Sequence, residues 1–185
     1  MNEYAHKLAL KEICTSRKIE SYLEIGVNEG CSLMVVLGNA PDLKNLVLCD
    51  EWGGLYGGTG RGSDVHIVKM LLEFGYNESV TFLNGDSKDL IPKLKEEFDL
   101  ILVDGDHSAE GAMIDLKNVW PLLKPGGLVL IDDITHPSHS YLFEVFEQFN
   151  TLHINDSSIY RLDRVNKNGV AILQKNKVEK GGIES

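Results

Sequence analysis

The sequence contains few cysteines, no long hydrophobic run and no excess of positive charge. Only 3 of its 185 residues are cysteine, and their odd number and irregular spacing predict neither a disulfide framework nor a zinc site. No apolar run approaches the roughly 20 residues that cross a bilayer, and residues 1–18 lack the apolar centre of a signal peptide. We therefore expect a cytoplasmic protein without a membrane partner.

Acidic residues outnumber basic residues by 28 to 18, which gives a formal net charge of −10. A charge of this sign disfavours non-specific binding to nucleic acids and to anionic lipids. We expect a small-molecule substrate and no nucleic-acid partner, and the sequence leaves open whether the chain forms a homo-oligomer. Because 43% of the residues are hydrophobic, a chain of this length can form one domain with a substantial core.

Short apolar runs alternate with segments of helical periodicity along the chain. Strands are predicted at 21–26, 46–49, 80–83, 98–103, 128–131, 159–162 and 170–173, and helices at 2–18, 32–38, 64–74, 87–97, 109–123 and 141–149. The Asn168-Gly169 pair predicts an antiparallel hairpin. We expect an α/β fold: a doubly wound, Rossmann-like sheet of order 3-2-1-4-5-7-6, mostly parallel with an antiparallel final strand and with helices on both faces. Its expected parts are an N-terminal helix (1–20), a domain (21–175) and a polar tail (176–185).

Ligands of open parallel sheets bind beyond the carboxyl ends of the strands, and here those ends carry glycines and acids. The first strand runs into Gly26 and Gly30, with Asn28 at the position where a dinucleotide fingerprint needs its second glycine. This spacing disfavours a nicotinamide cofactor and leaves an ordinary tight turn as the alternative. Asp50 follows the second strand, where a carboxylate can accept hydrogen bonds from a ribose. Asp86 follows the third strand and suits an adenine amino group, with a helix cap as its alternative.

Taken in order, these segments resemble the class I S-adenosylmethionine-dependent methyltransferases from Ser21 to Leu173. The resemblance implies that S-adenosyl-L-methionine is the cofactor. It places the methionine part over the glycine turn, the cofactor carboxylate at Ser32 and the ribose at Asp50. The implied cofactor-binding residues are Glu24, Gly26, Asn28, Gly30, Ser32, Asp50, Glu51, Gly85, Asp86, Ser87 and Asp104.

Asp104 ends one central strand, and Asp132 and Asp133 end the next. Because neighbouring strands lie about 4.8 Å apart, three carboxylates should lie close together and repel one another unless a cation intervenes. Oxygen ligands suit magnesium, manganese or calcium, and we predict a divalent cation, with magnesium favoured, at these three residues. The alternatives are that Asp133 caps a helix and that no metal binds.

The same segments are similar to small metal-dependent O-methyltransferases of the catechol type and their sugar-modifying relatives. The catechol type has an asparagine at the position of Asp133, so the resemblance favours the sugar-modifying group. His107, three residues after Asp104, stands where the catechol type carries a lysine, which implies catalytic roles for both residues. An imidazole there suits proton acceptance, and a hydrogen bond to a neighbouring acid is the alternative. His136 and His139 follow the second pair of acids and could line the same mouth or lie in a surface loop, and the loop is the favoured interpretation.

Residues 52–63 contain six glycines and exceed the usual length of a strand-helix connection. We predict a lid in which Trp52 or Tyr56 packs on a ligand and Arg61 meets an anion, with a disordered surface loop as the alternative. No Gly-Lys-Ser or Gly-Lys-Thr follows these glycines, so a P-loop is excluded.

The function predicted from these patterns is S-adenosylmethionine-dependent O-methylation of a small molecule, a sugar-like or other diol, assisted by a divalent metal. Three alternatives stay open. They are a metal-independent methyltransferase acting on another acceptor, an inactive nucleotide-binding module, and a nicotinamide-dependent oxidoreductase that the glycine spacing disfavours.

Overall fold

A computed structural model describes residues 4–53 and 62–177, which form a seven-stranded sheet of order β3-β2-β1-β4-β5-β7-β6. The strands are β1 (Ser21–Ile25), β2 (Asn45–Asp50), β3 (Ser79–Asn84), β4 (Phe98–Val103), β5 (Leu123–Asp132), β6 (Ser157–Asp163) and β7 (Val170–Lys175). The helices are α1 (Ala5–Ser16), α2 (Cys31–Asn39), α3 (Asp64–Glu73), α4 (Ser87–Leu90), α5 (Ala109–Val119) and α6 (Leu142–Leu152). The predicted fold class and strand order are confirmed, and β7 runs antiparallel to both of its neighbours.

The central strands are apolar at consecutive positions, because helices cover both faces of the sheet. In β4, Leu100 and Leu102 join one buried cluster, whereas Ile101 and Val103 join the other. The first cluster contains apolar residues of α1, α2 and α3, and the second contains those of α5 and α6. This double burial fixes the register of the strands and brings their carboxyl ends to one edge.

Proline shortens two of the predicted helices. The helix expected at 87–97 is limited to α4 and a 3₁₀ turn at Ile91–Lys93. Pro92 has no N–H to donate to the carbonyl four residues earlier, so the α-helical ladder stops there. The helix expected at 109–123 ends at Val119 and continues as a 3₁₀ turn that contains Pro121, for the same reason.

Glycines mark the turn between β6 and β7 and an irregular part of β5. The predicted hairpin between β6 and β7 is present, with Asn168 and Gly169 both at positive φ. Residues 124–127 form an irregular part of β5, where the pairing with β4 shifts register and Gly126 has φ +85°.

Among the described residues, no helix is both long enough and apolar enough to cross a membrane. Cys14 and Cys49 are buried free thiols. Tyr56 and Arg61 of the predicted lid, and most of the predicted tail, lie outside the described residues.

Candidate active site

A cavity of about 400 Å³ lies at the carboxyl ends of the parallel strands. It is lined by twelve of the residues that the sequence predicts for binding or catalysis: Gly26, Asn28, Ser32, Asp50, Glu51, Gly85, Asp86, Ser87, Asp104, His107, Asp132 and Asp133. The two other predicted residues, Glu24 and Gly30, are not part of its described lining. The sheet therefore brings predictions from five separate strand ends to one cavity.

The turn after β1 requires glycine where the predicted motif has it. Gly26 has φ +85°, and a Cβ on it would lie 1.9 Å from the carbonyl oxygen of Asp104. Gly30 has φ +76° and begins α2, and its missing side chain leaves room for Ile67 and Met70 of α3. Glycine thus allows the backbone to approach β4 closely and to bend into α2.

Asp50 is already bound to the backbone around the cavity. Its carboxylate accepts hydrogen bonds from the N–H groups of Asn28 at 2.7 Å and Trp52 at 2.6 Å. In contrast, Oε2 of Glu51 is buried and has no hydrogen-bond partner in the described structure. The geometry therefore makes Glu51 the stronger candidate for a ligand hydroxyl and gives Asp50 a part in holding the turn.

Two acids lie near the start of α4, and one of them, Asp86, lines the cavity. Asp86 caps α4 by accepting the N–H of Lys88, which is the helix-cap alternative that the sequence left open. Burial alone would raise the pKa of Asp86, but its contacts with Lys88 outweigh burial and lower it. Ser87 donates its hydroxyl hydrogen to Asp115 at 2.6 Å, and burial raises the pKa of Asp115 to about 7. Sequence reasoning missed Asp115, because one acid in the middle of α5 carries no motif.

His107 and Asp104 form a pair at the other end of the cavity. His107 Nε2 lies 3.1 Å from Asp104 Oδ1 and 3.9 Å from Asp133 Oδ2. The hydrogen bond to Asp104 raises the pKa of His107 against the effect of burial. Burial and the charge of Asp132 raise the pKa of Asp104. The Tyr141 hydroxyl donates to the His107 carbonyl oxygen at 2.7 Å, which fixes the backbone of the pair.

Asp132 is paired with a residue that sequence reasoning missed. His6, at the start of α1, forms an ion pair through Nδ1 with Asp132 Oδ2, and their side chains are only 6% and 3% exposed. Burial acts to lower the pKa of His6, but Asp132 raises it by more. His6 shares a helical face with Ala9, Leu10 and Ile13, so the periodicity indicates its burial and not its partner.

Two of the three acids predicted as metal ligands are paired with histidines. Asp132 contacts His6 through Oδ2 and Asp104 contacts His107 through Oδ1, whereas Oδ1 of Asp132 is buried and has no hydrogen-bond partner among the described residues. Asp133 does not cap α6, whose N-cap is Tyr141. The magnesium site at these three acids stays a prediction.

His139 lies in the loop between β5 and α6, and its ring packs beside the site. Its ring centroid is 4.8 Å from that of His107 and 4.8 Å from that of His136. His136 and His139, from the segment between β5 and α6, therefore form a row of three imidazoles with His107, which follows β4. A Thr-His-Pro-Ser-His sequence gives no sign of this stacking, because the partner comes from the end of β4.

A sequence model of a family described as a methyltransferase domain matches residues 23–134, more than half of the chain. The chain belongs to this methyltransferase family. The matched segment runs from β1 to just beyond β5, so it contains the glycine turn, the acids after β2 and β3, and the Asp104–His107 pair. His6 and His139 lie outside it.

The chain is also similar to a curated viral protein. Uncharacterized protein R132 of Acanthamoeba polyphaga mimivirus is 25% identical over 119 residues, which cover 61% of this chain. The match spans about half of the viral protein, 51% of its length.

Two solved structures share the fold. A putative rRNA-methylase from Clostridium thermocellum has a TM-score of 0.70 at 11% identity and covers 96% of this chain and 98% of its own. The O-methyltransferase TomG from Streptomyces achromogenes, in complex with SAM, has a TM-score of 0.68 at 19% identity and covers 92% of this chain and 79% of its own. At these identities the likenesses show the methyltransferase fold alone.

Proposed function

We propose that this methyltransferase-family protein transfers the methyl group of S-adenosylmethionine to a hydroxyl group of a small molecule. The observation that carries the proposal is the single cavity in which the glycine turn, the acids after β2 and β3, and the Asp104–His107 pair meet. TomG, which shares the fold, is an O-methyltransferase described in complex with SAM. The proposed acceptor is a sugar-like or other diol, because the side chains of Asp104 and His107 in the cavity can form hydrogen bonds with its hydroxyl groups.

The cofactor would lie along the strand ends. Its methionine carboxylate suits the free amides at the start of α2, near Ser32. The ribose hydroxyls suit Glu51, whose buried oxygen lacks a partner in the described structure. The adenine amino group suits the wall at Asp86. This order leaves the sulfonium methyl facing Asp104 and His107.

Transfer is a single displacement at the methyl carbon. The acceptor oxygen forms a bond to the methyl group as the sulfur–carbon bond breaks, which leaves S-adenosylhomocysteine. The hydroxyl proton passes to His107, whose imidazole is oriented by Asp104 at 3.1 Å. The main contribution of the protein is to hold the two reactants close and in line.

The proposal also concerns the metal ion, the class of acceptor, the location of the protein and its self-association. The proposed transfer step needs no metal ion, because His107 accepts the hydroxyl proton. The fold likeness to an rRNA-methylase does not assign an RNA acceptor, and the net charge of −10 favours a small molecule. The cytoplasmic location and any self-association stay predictions.

Replacing Glu51 by glutamine should weaken the binding of S-adenosylhomocysteine about tenfold to a hundredfold. Hydrogen bonds to a charged group contribute about 1.5–3 kcal/mol, and glutamine keeps the shape of the side chain but removes its charge. Isothermal titration calorimetry measures the change. Glu97→Gln, the same substitution at an exposed residue just before β4, is the matched control and should bind like the parent protein.

The same titration tests the function itself. No binding of S-adenosylhomocysteine to the parent protein would overturn the proposal. Retained binding in Glu51→Gln together with its loss in Asp50→Asn would return the ribose to Asp50, as the sequence predicts. Production of S-adenosylhomocysteine from S-adenosylmethionine, followed across a set of aromatic and sugar diols, then identifies the acceptor class.

A further inference from the structure

Three side chains of types that can bind metal ions meet at the mouth of the cavity. They differ from the three residues that the sequence predicts as metal ligands. His107, Asp133 and His139 each offer one ligand atom, and these atoms all lie within 4.8 Å of one another. We propose that these three residues bind a transition-metal cation of the zinc, cobalt, manganese or iron class. The site shares only Asp133 with the oxygen-only site expected at Asp104, Asp132 and Asp133.

The distances are close to those of a bound ion. Bonds from zinc to imidazole nitrogen and to carboxylate oxygen are about 2.0–2.2 Å long, so two ligands of one ion lie at most about 4.3 Å apart. His107 Nε2 and Asp133 Oδ2 are 3.9 Å apart, within this limit. His139 is partly exposed on the segment between β5 and α6, so a side-chain rotation can close the remaining distance.

Tyr141 connects the two histidines. Its hydroxyl donates to the carbonyl oxygen of His107 and lies 3.3 Å from Nδ1 of His139. Metal-binding histidines commonly have one ring nitrogen fixed by such a partner, which leaves Nε2 of His139 as its ligand atom. In His107 the nitrogen near Asp133 is Nε2, which also contacts Asp104 at 3.1 Å, so an ion bound there takes the place of that contact.

The third ligand is fixed by the backbone. Asp133 follows β5 directly, is 8% exposed and has φ +60°, a conformation that only a few non-glycine residues adopt. Its neighbour Asp132 is paired with His6 instead. The chain thus directs these two consecutive acids to different partners, and only Asp133 remains for the histidine pair.

The donor set determines which ions fit. Two imidazoles and one carboxylate suit zinc, iron and cobalt, whereas magnesium and calcium prefer oxygen ligands alone. An ion held by three residues keeps coordination positions open, and a hydroxyl bound there loses its proton more easily. This use in methyl transfer rests on the proposed function, and His107 would then act as a ligand and not as the proton acceptor. Metal binding itself does not depend on that function.

The test uses the full chain and metal salts alone. Zinc chloride, manganese chloride and magnesium chloride are titrated by calorimetry, and cobalt chloride is followed by its visible absorption. We expect one zinc or cobalt ion per chain, with weaker binding of magnesium. His139→Gln should weaken zinc binding at least about tenfold, since loss even of a supporting partner weakens metal sites tenfold to a hundredfold. His136→Gln, which alters the neighbouring stacked imidazole outside the ligand set, is the matched control and should change the affinity less than threefold.

Asp132→Asn separates the two metal sites. The proposal expects it to bind zinc like the parent protein, and loss of metal binding only in Asp132→Asn would favour the oxygen-only site and overturn the proposal. So would a parent protein that binds neither zinc nor cobalt, or a His139→Gln variant that binds zinc unchanged. S-adenosylhomocysteine is titrated into each protein in parallel. Its binding without metal binding defeats this inference alone, and metal binding without it defeats the proposed function alone.

Discussion

Gly26→Ala is expected to abolish binding of S-adenosylhomocysteine and to lower the free energy of unfolding by about 2–5 kcal/mol. The new Cβ would lie 1.9 Å from the Asp104 carbonyl oxygen and 2.5 Å from its carbon, both in the backbone. Neither atom can move without separating the end of β1 from the end of β4. The strain adds to the cost of placing alanine at φ +85°.

Gly75→Ala is the matched control for this substitution. Gly75 has φ +67°, close to that of Gly26, but no atom lies within 4 Å of the position of its Cβ. The free energy of unfolding of Gly75→Ala should therefore fall only by the cost of placing alanine at positive φ, about 1–2 kcal/mol. The variant should keep its affinity for S-adenosylhomocysteine. Urea unfolding and calorimetry measure both effects. Equal stability losses in the two variants, with ligand binding intact in both, would contradict the prediction that the close approach of Gly26 to Asp104 matters for stability and for binding.

The parts of the site that depend on strand ends could be predicted from sequence. An apolar run such as Phe98–Val103 must be buried on both faces, so the residue that follows it, Asp104, must lie at the edge of the sheet. Parallel strands then bring Asp104 near Asp132, and helical crossovers keep this edge common to all of them. Position along the chain is enough for this inference, and no side-chain contact has to be known.

The pairing of side chains at that edge could not be predicted in the same way. His6 reaches Asp132 only because α1 packs across the sheet with its first turn at the cavity, and no local pattern fixes that placement. Asp115 meets Ser87 only because α5 lies beside α4. The adjacency of the strands predicts that acids gather at this edge, but the partner of each acid depends on how the helices pack.

The same reasoning explains why the sequence assigns the ribose to Asp50 and not to Glu51. Asp50 ends β2 and Glu51 follows it, and a motif treats the two acids as one feature. Their roles separate only when the backbone after β1 is in place, because its Asn28 N–H takes up an oxygen of Asp50. A ligand is then better served by the oxygen of Glu51 that the described fold leaves without a partner.

Glu24→Gln is expected to change how stability depends on pH. Glu24 is 1% exposed, and burial raises its pKa to about 8, although the Tyr22 hydroxyl, which donates to it at 2.9 Å, acts in the opposite direction. In the unfolded chain the same carboxyl has its ordinary pKa of about 4.3. Between these values the unfolded chain releases the proton and the folded protein keeps it. Stability therefore falls as pH rises from about 4.3 to about 8, by an amount on the order of a few kcal/mol.

Glutamine carries no titrating proton, and its amide oxygen can still accept the Tyr22 hydroxyl. The stability of Glu24→Gln relative to the parent protein should therefore increase steadily from pH 5 to pH 8 and level off above that, whatever fixed offset the amide introduces. Urea unfolding at a series of pH values measures this, with Glu97→Gln as the exposed control. A difference that does not change with pH would contradict the buried neutral acid. Because the described cavity lining does not include Glu24, the variant should bind S-adenosylhomocysteine at pH 7 like the parent protein, and this outcome would make Glu24 a support of the glycine turn and not a cofactor contact.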